Sequence, residues 1–114
     1  IVPHGMSVIM HAPAVFRWTA ETNPKLHMYA ATLMGAEITG ATPSDAGEIL
    51  AGAIIDIMQK TGMPNGLSAL GFTEADVDKL VEGTLPQHRV TKLSPKPAGA
   101  DDLRQLFLNS MKIW

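Results

Sequence analysis

From His4 to Trp18 the chain is apolar on nearly every side of any helix it could form, relieved only by Ser7, His11 and Arg17. A helix without a wet face has to be surrounded, so this opening stretch commits the chain to a fold that wraps its first element, or to a larger body that does. Pro13 removes a backbone donor and crowds the carbonyl of Ile9, which predicts a kink or two helical pieces. Val2-Pro3-His4-Gly5 leads into this stretch. Proline fixes the approach, glycine lets another backbone come close, and one imidazole is aimed between them. Such a group needs partners, and none precedes it in the chain, which reads as the end of a longer protein.

The remaining elements are also helical. Asn23-Pro24 is a helix start, followed by Leu26, Tyr29, Ala30 and Leu33 at helical spacing and closed at Gly35. Thr42-Pro43-Ser44-Asp45 has the form of a capping box ahead of a stripe of Leu50, Ala53, Ile54, Ile57 and Met58, with Gly62 and Pro64 stopping it. A loop with one turn at Leu67 to Leu70 follows. Thr73 caps a short helix with Val77, Leu80 and Val81 inward and Gly83 closing it. From Thr84 to Pro97 the prolines leave an irregular strip with one turn near Gln87, a loop candidate for function. Asp101 and Asp102 favour a last helix whose face is Leu103, Leu106, Phe107, Ser110 and Trp114. Nothing alternates as a strand would. The expected fold class is all-α, in one unit spanning residues 1–114.

With 46% apolar and 18% charged residues and a net charge of -2, a core forms without a broad electrostatic field, which argues against nucleic acid as a partner. The apolar stretches fall short of the roughly 20 residues that cross a bilayer, so no membrane partner is expected. Without cysteine there is no disulfide, no thiolate nucleophile and no sulfur-ligated metal. That fits the cytoplasm as the place of action, or the mitochondrion if the source is eukaryotic.

Metal chemistry would rest on the four histidines and the carboxylates. His4 is the first candidate, although one imidazole does not make a site: a catalytic metal takes at least three protein ligands, and no H-x-x-x-H or E-x-x-H grouping occurs. His11 lies seven positions on, about 10 Å along an unbroken helix, too far to share an ion with His4, and reads as a packing or hydrogen-bonding residue. His27 reads as solvent-facing and His88 as part of the proline-rich strip. The glutamates are scattered, so no catalytic acid or base stands out. Arg89, Lys92 and Lys96 form the only basic concentration.

Val2-Pro3-His4-Gly5-Met6-Ser7-Val8 with Pro13-Ala14-Val15-Phe16 resembles the C-terminal part of iron-containing (group III) alcohol dehydrogenases, in particular the hydroxyacid-oxoacid transhydrogenase branch. Leu33-Met34-Gly35-Ala36, Asp45-Ala46-Gly47, Gly66-Leu67-Ser68-Ala69-Leu70-Gly71-Phe72 and the block from Glu82-Gly83-Thr84-Leu85-Pro86-Gln87 to Pro95 extend the likeness, in order, to the closing helix. The resemblance implies a helical, bundle-like C-terminal domain of a two-domain, dehydroquinate synthase-like fold whose N-terminal nucleotide-binding domain is not in this chain. It implies a divalent metal, iron or zinc, held by one aspartate and three histidines, the last corresponding to His4. It further implies NAD(P), an alcohol or hydroxyacid substrate and a homo-oligomer, with neither metal nor nucleotide held by this piece alone, which would be inactive. Substrates implied by the branch are 4-hydroxybutyrate and 2-oxoglutarate. Val90 and Thr91 would line the substrate side, and Arg89 or Lys92 would meet an acid. The competing expectation is a free-standing helical module that binds a protein partner through its apolar first helix.

Overall fold

A computed structural model describes residues 2–114. All regular structure among them is helical: α1 (His4–Thr19), α2 (Pro24–Leu33), α3 (Ala46–Lys60), α4 (Val77–Thr84), α5 (His88–Thr91) and α6 (Ala100–Asn109), with short 3-10 turns between. The all-α expectation holds. α3 lies against both α1 and α2, α4 packs on α6, and α6 joins the two groups by resting on α1. Met10, Ala31, Leu50, Ile54, Met58, Leu67, Val77 and Met111 form the core where these helices meet.

Helix starts follow from local chemistry. The Asn23 side chain accepts the Leu26 N–H at 3.1 Å and caps α2 ahead of Pro24. Asp45, Asp76 and Asp102 each reach back to accept the backbone N–H three residues earlier, from Thr42, Thr73 and Gly99, at 2.8, 2.8 and 3.0 Å. The bonds from Thr42, backbone first and hydroxyl second, hold the Asp45 carboxyl below the usual carboxylate range. A lowered value makes this support present at neutral pH and lost as the pH falls through the folded-state value.

The architecture departs from the expected faces in four places. α1 is one continuous helix with Pro13 inside it, and it is covered on one side only: Met10, Pro13, Ala14 and Thr19 are buried, but Val8 is 55% exposed. On α2 the apolar row Leu26, Tyr29 and Leu33 faces out while His27 and Ala31 face in. On α3 Ile57 is exposed and Ala51 takes the inner position. Helix α4 runs through Gly83 to Thr84, because no positive φ is required there and the helix continues to hydrogen-bond into Leu85.

The C-terminus is stitched to the loop after α3. Leu67 and Ser68 donate their backbone N–H groups to the Ser110 and Met111 carbonyls, each at 2.9 Å. Asn65 Oδ1 accepts from the Ile113 and Trp114 N–H groups at 2.7 and 2.8 Å, and its amide donates to the Trp114 carbonyl. Gly66 permits this approach: its φ is +81°, and a Cβ there would lie 2.4 Å from the Met111 carbonyl oxygen. Gly66→Ala is therefore expected to cost about 3 kcal/mol or more and to lower the unfolding midpoint by about 10 °C or more, read by thermal denaturation. An unchanged midpoint would show that the stitch is dispensable.

Candidate functional site

Helical spacing places Val8, His11, Val15 and Trp18 along one side of α1. Together with residues of α4, α5 and α6 they line a half-open cavity of about 500 Å³. That volume suits a small organic molecule, for which pockets run to roughly 300–1,000 Å³. Leu80, Leu103, Leu106 and Phe107 supply apolar wall opposite α1, and Val90 and Thr91 close it from α5. The polar lining residues are Ser7, Thr84, Thr91 and Ser94 with their hydroxyls, His11 and Trp18 with its indole N–H, and there is no acidic, lysine or arginine side chain.

The strip from Lys92 to Gly99 is fastened rather than loose. Lys96 pairs with Glu21 at 2.6 Å and lies 4.7 Å from the centre of the Trp18 ring, tying the strip to the end of α1. Ala98 donates its N–H to the Thr91 carbonyl at 3.0 Å, and the buried Thr91 hydroxyl donates to the Gln87 carbonyl at 3.4 Å. These contacts set the position of the cavity wall that α5 provides.

Two imidazoles in the molecule share one local device but differ in how it is completed. In each, Nδ1–H donates to the carbonyl four residues earlier: His27 to Asn23 at 2.8 Å, His11 to Ser7 at 2.6 Å. A ring whose Nδ1 carries the proton offers a lone pair at Nε2. For His27 that lone pair accepts the buried Thr19 hydroxyl at 2.9 Å, and the ring is fully satisfied. For His11 the same atom is shut off from solvent and has no hydrogen-bond partner. Phe107, edge to face with the His11 ring at 5.5 Å, presents nothing that can donate to it.

His4 is the first residue of α1, exposed, and four positions ahead of Val8 on the row that lines the cavity. Val90 and Thr91 are brought into the cavity wall, whereas Arg89 and Lys92 are exposed and stand outside it, Arg89 donating to the Gln87 side chain at 3.1 Å. His27, read from sequence as solvent-facing, is buried, because the Thr19 hydroxyl and the Asn23 carbonyl together meet both ring nitrogens. No group of three His, Asp or Glu side chains able to hold a metal forms among the described residues. The described residues therefore form no complete metal site by themselves. The place of His11 in the cavity wall was invisible from sequence because it depends on where α4 and α6 come to rest; its spacing from Val15 and Trp18 was the one signal.

The family profile described as "Fe-containing alcohol dehydrogenase family, C-terminal" matches residues 1–111. The probable hydroxyacid-oxoacid transhydrogenase, mitochondrial, of Dictyostelium discoideum is 55% identical across all of this chain, which covers 21% of that protein. The hydroxyacid-oxoacid transhydrogenase, mitochondrial, of Bos taurus is 43% identical across all of this chain, which covers 24% of it. A crystal structure of 1,3-propanediol oxidoreductase superposes with a TM-score of 0.86 at 28% identity, over 96% of this chain and 28% of that one. The chain thus spans about a quarter of the length of these proteins.

The contrast between the two rings has a measurable consequence. His27→Leu and His11→Leu both lose the Nδ1–H bond to the carbonyl four residues earlier, but only His27→Leu also leaves the buried Thr19 hydroxyl without its acceptor, so it should cost about 1–3 kcal/mol more. Chemical denaturation of both variants reads the difference, and equal losses would mean that the His11 lone pair is satisfied in solution.

Proposed function

The chain belongs to the iron-containing alcohol dehydrogenase family, matching its C-terminal region, and from that premise we propose that it is the helical metal-binding domain of an oxidoreductase. In this reading the complete polypeptide moves a hydride between a nicotinamide cofactor, NAD or NADP, and an alcohol or hydroxyacid. Its finer form is transhydrogenation, with 4-hydroxybutyrate reducing the nicotinamide and 2-oxoglutarate reoxidising it. The observation that carries the reading is the row on α1: His4 at its head, then the side chains of the cavity that Val90 and Thr91 close.

His4 would give one neutral imidazole nitrogen to a divalent ion, iron or zinc, whose other ligands come from the remainder of the polypeptide. The chemistry such an ion would supply there is Lewis acidity towards a substrate oxygen. The work of this chain's own residues is to hold and to exclude. Leu80, Leu106 and Phe107 keep water from the substrate's carbon chain, and Val90 and Thr91 limit its width. Arg89 and Lys92, exposed on and just after α5, would draw an acid towards the mouth through their field rather than by contact. This piece by itself, with one ligand and one side of a cleft, would neither hold the cofactors nor catalyse.

The relatives named above are mitochondrial proteins by name, and we place this chain in the same compartment; no helix of the described residues is long and apolar enough to cross a membrane. A homo-oligomer is part of the same reading. The alternative of a free-standing interaction module draws on the open apolar row Leu26, Tyr29 and Leu33 of α2, which an enclosing enzyme assembly would cover equally well.

In the complete polypeptide, His4→Ala should lower bound metal and hydride transfer together, each by about a hundredfold or more, since loss of even an outer supporting group costs about 10–100-fold. Elemental analysis alongside nicotinamide absorbance checks both. Full activity in that variant would reject His4 as a ligand.

A further inference from the structure

Residues 92–99 join α5 to α6 without forming a helix of their own, and two of them, Ser94 and Ala98, line the cavity. Their own hydrogen bonds are local. The Lys96 N–H donates to Ser94 Oγ at 3.2 Å, the Ser94 hydroxyl donates to the Lys96 carbonyl, and the Ala98 N–H donates to the Thr91 carbonyl at 3.0 Å. Among the described residues, every hydrogen bond and ion pair that crosses from this strip to α1 or to the turn behind it comes from one group, the Lys96 ammonium. It donates to a Glu21 carboxylate oxygen at 2.6 Å and to the Trp18 carbonyl at 3.4 Å, and it stands 4.7 Å from the centre of the Trp18 ring. An exposed ion pair by itself would hold little. Here three contacts converge on a single cation whose side chain is only 28% exposed, and the ring beneath it is itself part of the cavity wall.

We propose that Lys96 is a positioning residue for substrate selection: it clamps the strip to the end of α1 and, through the bond from Ala98 to Thr91, holds α5 at the distance that sets the width of the cavity. The inference rests on the oxidoreductase reading given above and deepens it by naming the residue that fixes the bore of the substrate site. Lys96 does not line the cavity, so it acts through the residues that do. The helix that carries Val90 and Thr91 is four residues long. One turn of helix has no stiffness of its own and takes its place from what it is tied to. On one side the Thr91 hydroxyl is bonded to Gln87 within the same turn. On the other the Thr91 carbonyl is bonded to Ala98, two residues beyond Lys96. The clamp on Trp18 is thus what relates the wall on α5 to the wall on α1. Without it the strip keeps its local bonds but loses its polar fastening to the opposite wall, and the cavity widens at Val90 and Thr91.

Two measurements on the complete polypeptide test this, with Lys96→Met, which keeps the length of the stem and removes the charge. The first is amide hydrogen exchange. Exchange at residues 92–99, Ala98 included, should quicken by about threefold to tenfold, the size expected for the loss of a partly exposed cation contact, while α3 and α6 keep their protection. The second is kinetic. KM for 4-hydroxybutyrate should rise by about threefold to tenfold with kcat within about twofold, because Lys96 touches no reacting atom, and the preference in kcat/KM for 4-hydroxybutyrate over its bulkier 3-methyl homologue should fall by a similar factor. Lys96→Arg, which keeps the charge and can lie over the indole, should recover most of both effects, and Glu21→Gln should show a smaller change in the same direction. Unchanged exchange in Lys96→Met would overturn the clamp. Faster exchange with KM and the preference unaltered would overturn its part in substrate selection and leave the oxidoreductase reading standing. A wild-type protein that oxidises neither compound would remove the oxidoreductase reading and the inference together.

Discussion

The close approach of α1 and α3 at Gly47 is the contact on which the placement of everything else depends. A side chain on that glycine would meet the Ala20 Cβ at 3.0 Å and the Arg17 backbone at 3.1 Å, so the end of α1 and the start of α3 touch backbone to backbone. Small residues continue the seam, with Ala46 and Ala51 fully buried and Ala14 nearly so. Helices that meet over small side chains have little freedom to roll about their axes. Met10, Pro13 and Ala14 are thereby turned inward, and the opposite row, with His11 in its middle, is left to form a cavity wall. Pro13 lies inside α1 and is fully covered in the apolar seam.

Polar groups are treated economically in this fold, which makes the exception informative. Asp45, Asp76 and Asp102 are used to close helix starts, and Asn65 holds the last residues of the chain with both ends of its amide. The buried Thr19 hydroxyl meets His27, and the buried Ser110 hydroxyl donates to the Leu106 carbonyl at 2.8 Å. Against that background the His11 Nε2, buried and without a hydrogen-bond partner, is the exception among the described residues.

How much of this could be read in the sequence divides along physical lines. Helix starts were legible because a cap is a local event, settled by a residue and its neighbours three or four positions on; Asn23 with Pro24 and Thr42 with Asp45 both stand where their chemistry implied. The faces were harder. Leu26, Tyr29 and Leu33 have the right spacing, yet they point outward, because periodicity fixes which residues share a side and says nothing of which side is inner when both carry apolar groups. His27 was misjudged for the same reason, its burial being decided by Thr19 from another helix. Gly83 was read as a stop, although glycine ends a helix only where the backbone turns to positive φ, as at Gly35 and Gly62. Val90 and Thr91, singled out through the resemblance carried by the block around Pro86-Gln87, do stand in the cavity wall, while His4, singled out through Pro3-His4-Gly5, stands exposed at the head of α1. The cavity itself, and the place of His11 in it, arise from contacts among α1, α4 and α6 that no local pattern encodes.

Under the proposed function, α1 would carry a metal-binding imidazole at its head and a substrate wall along its length. Anomalous diffraction from crystals of the complete polypeptide loaded with zinc or iron tests it most directly. The account predicts a strong anomalous peak about 2.0–2.1 Å from a ring nitrogen of His4, the bonding distance of zinc to imidazole, at the end of the cavity nearest the start of α1. A peak bound elsewhere, with the His4 ring turned to solvent, would contradict it.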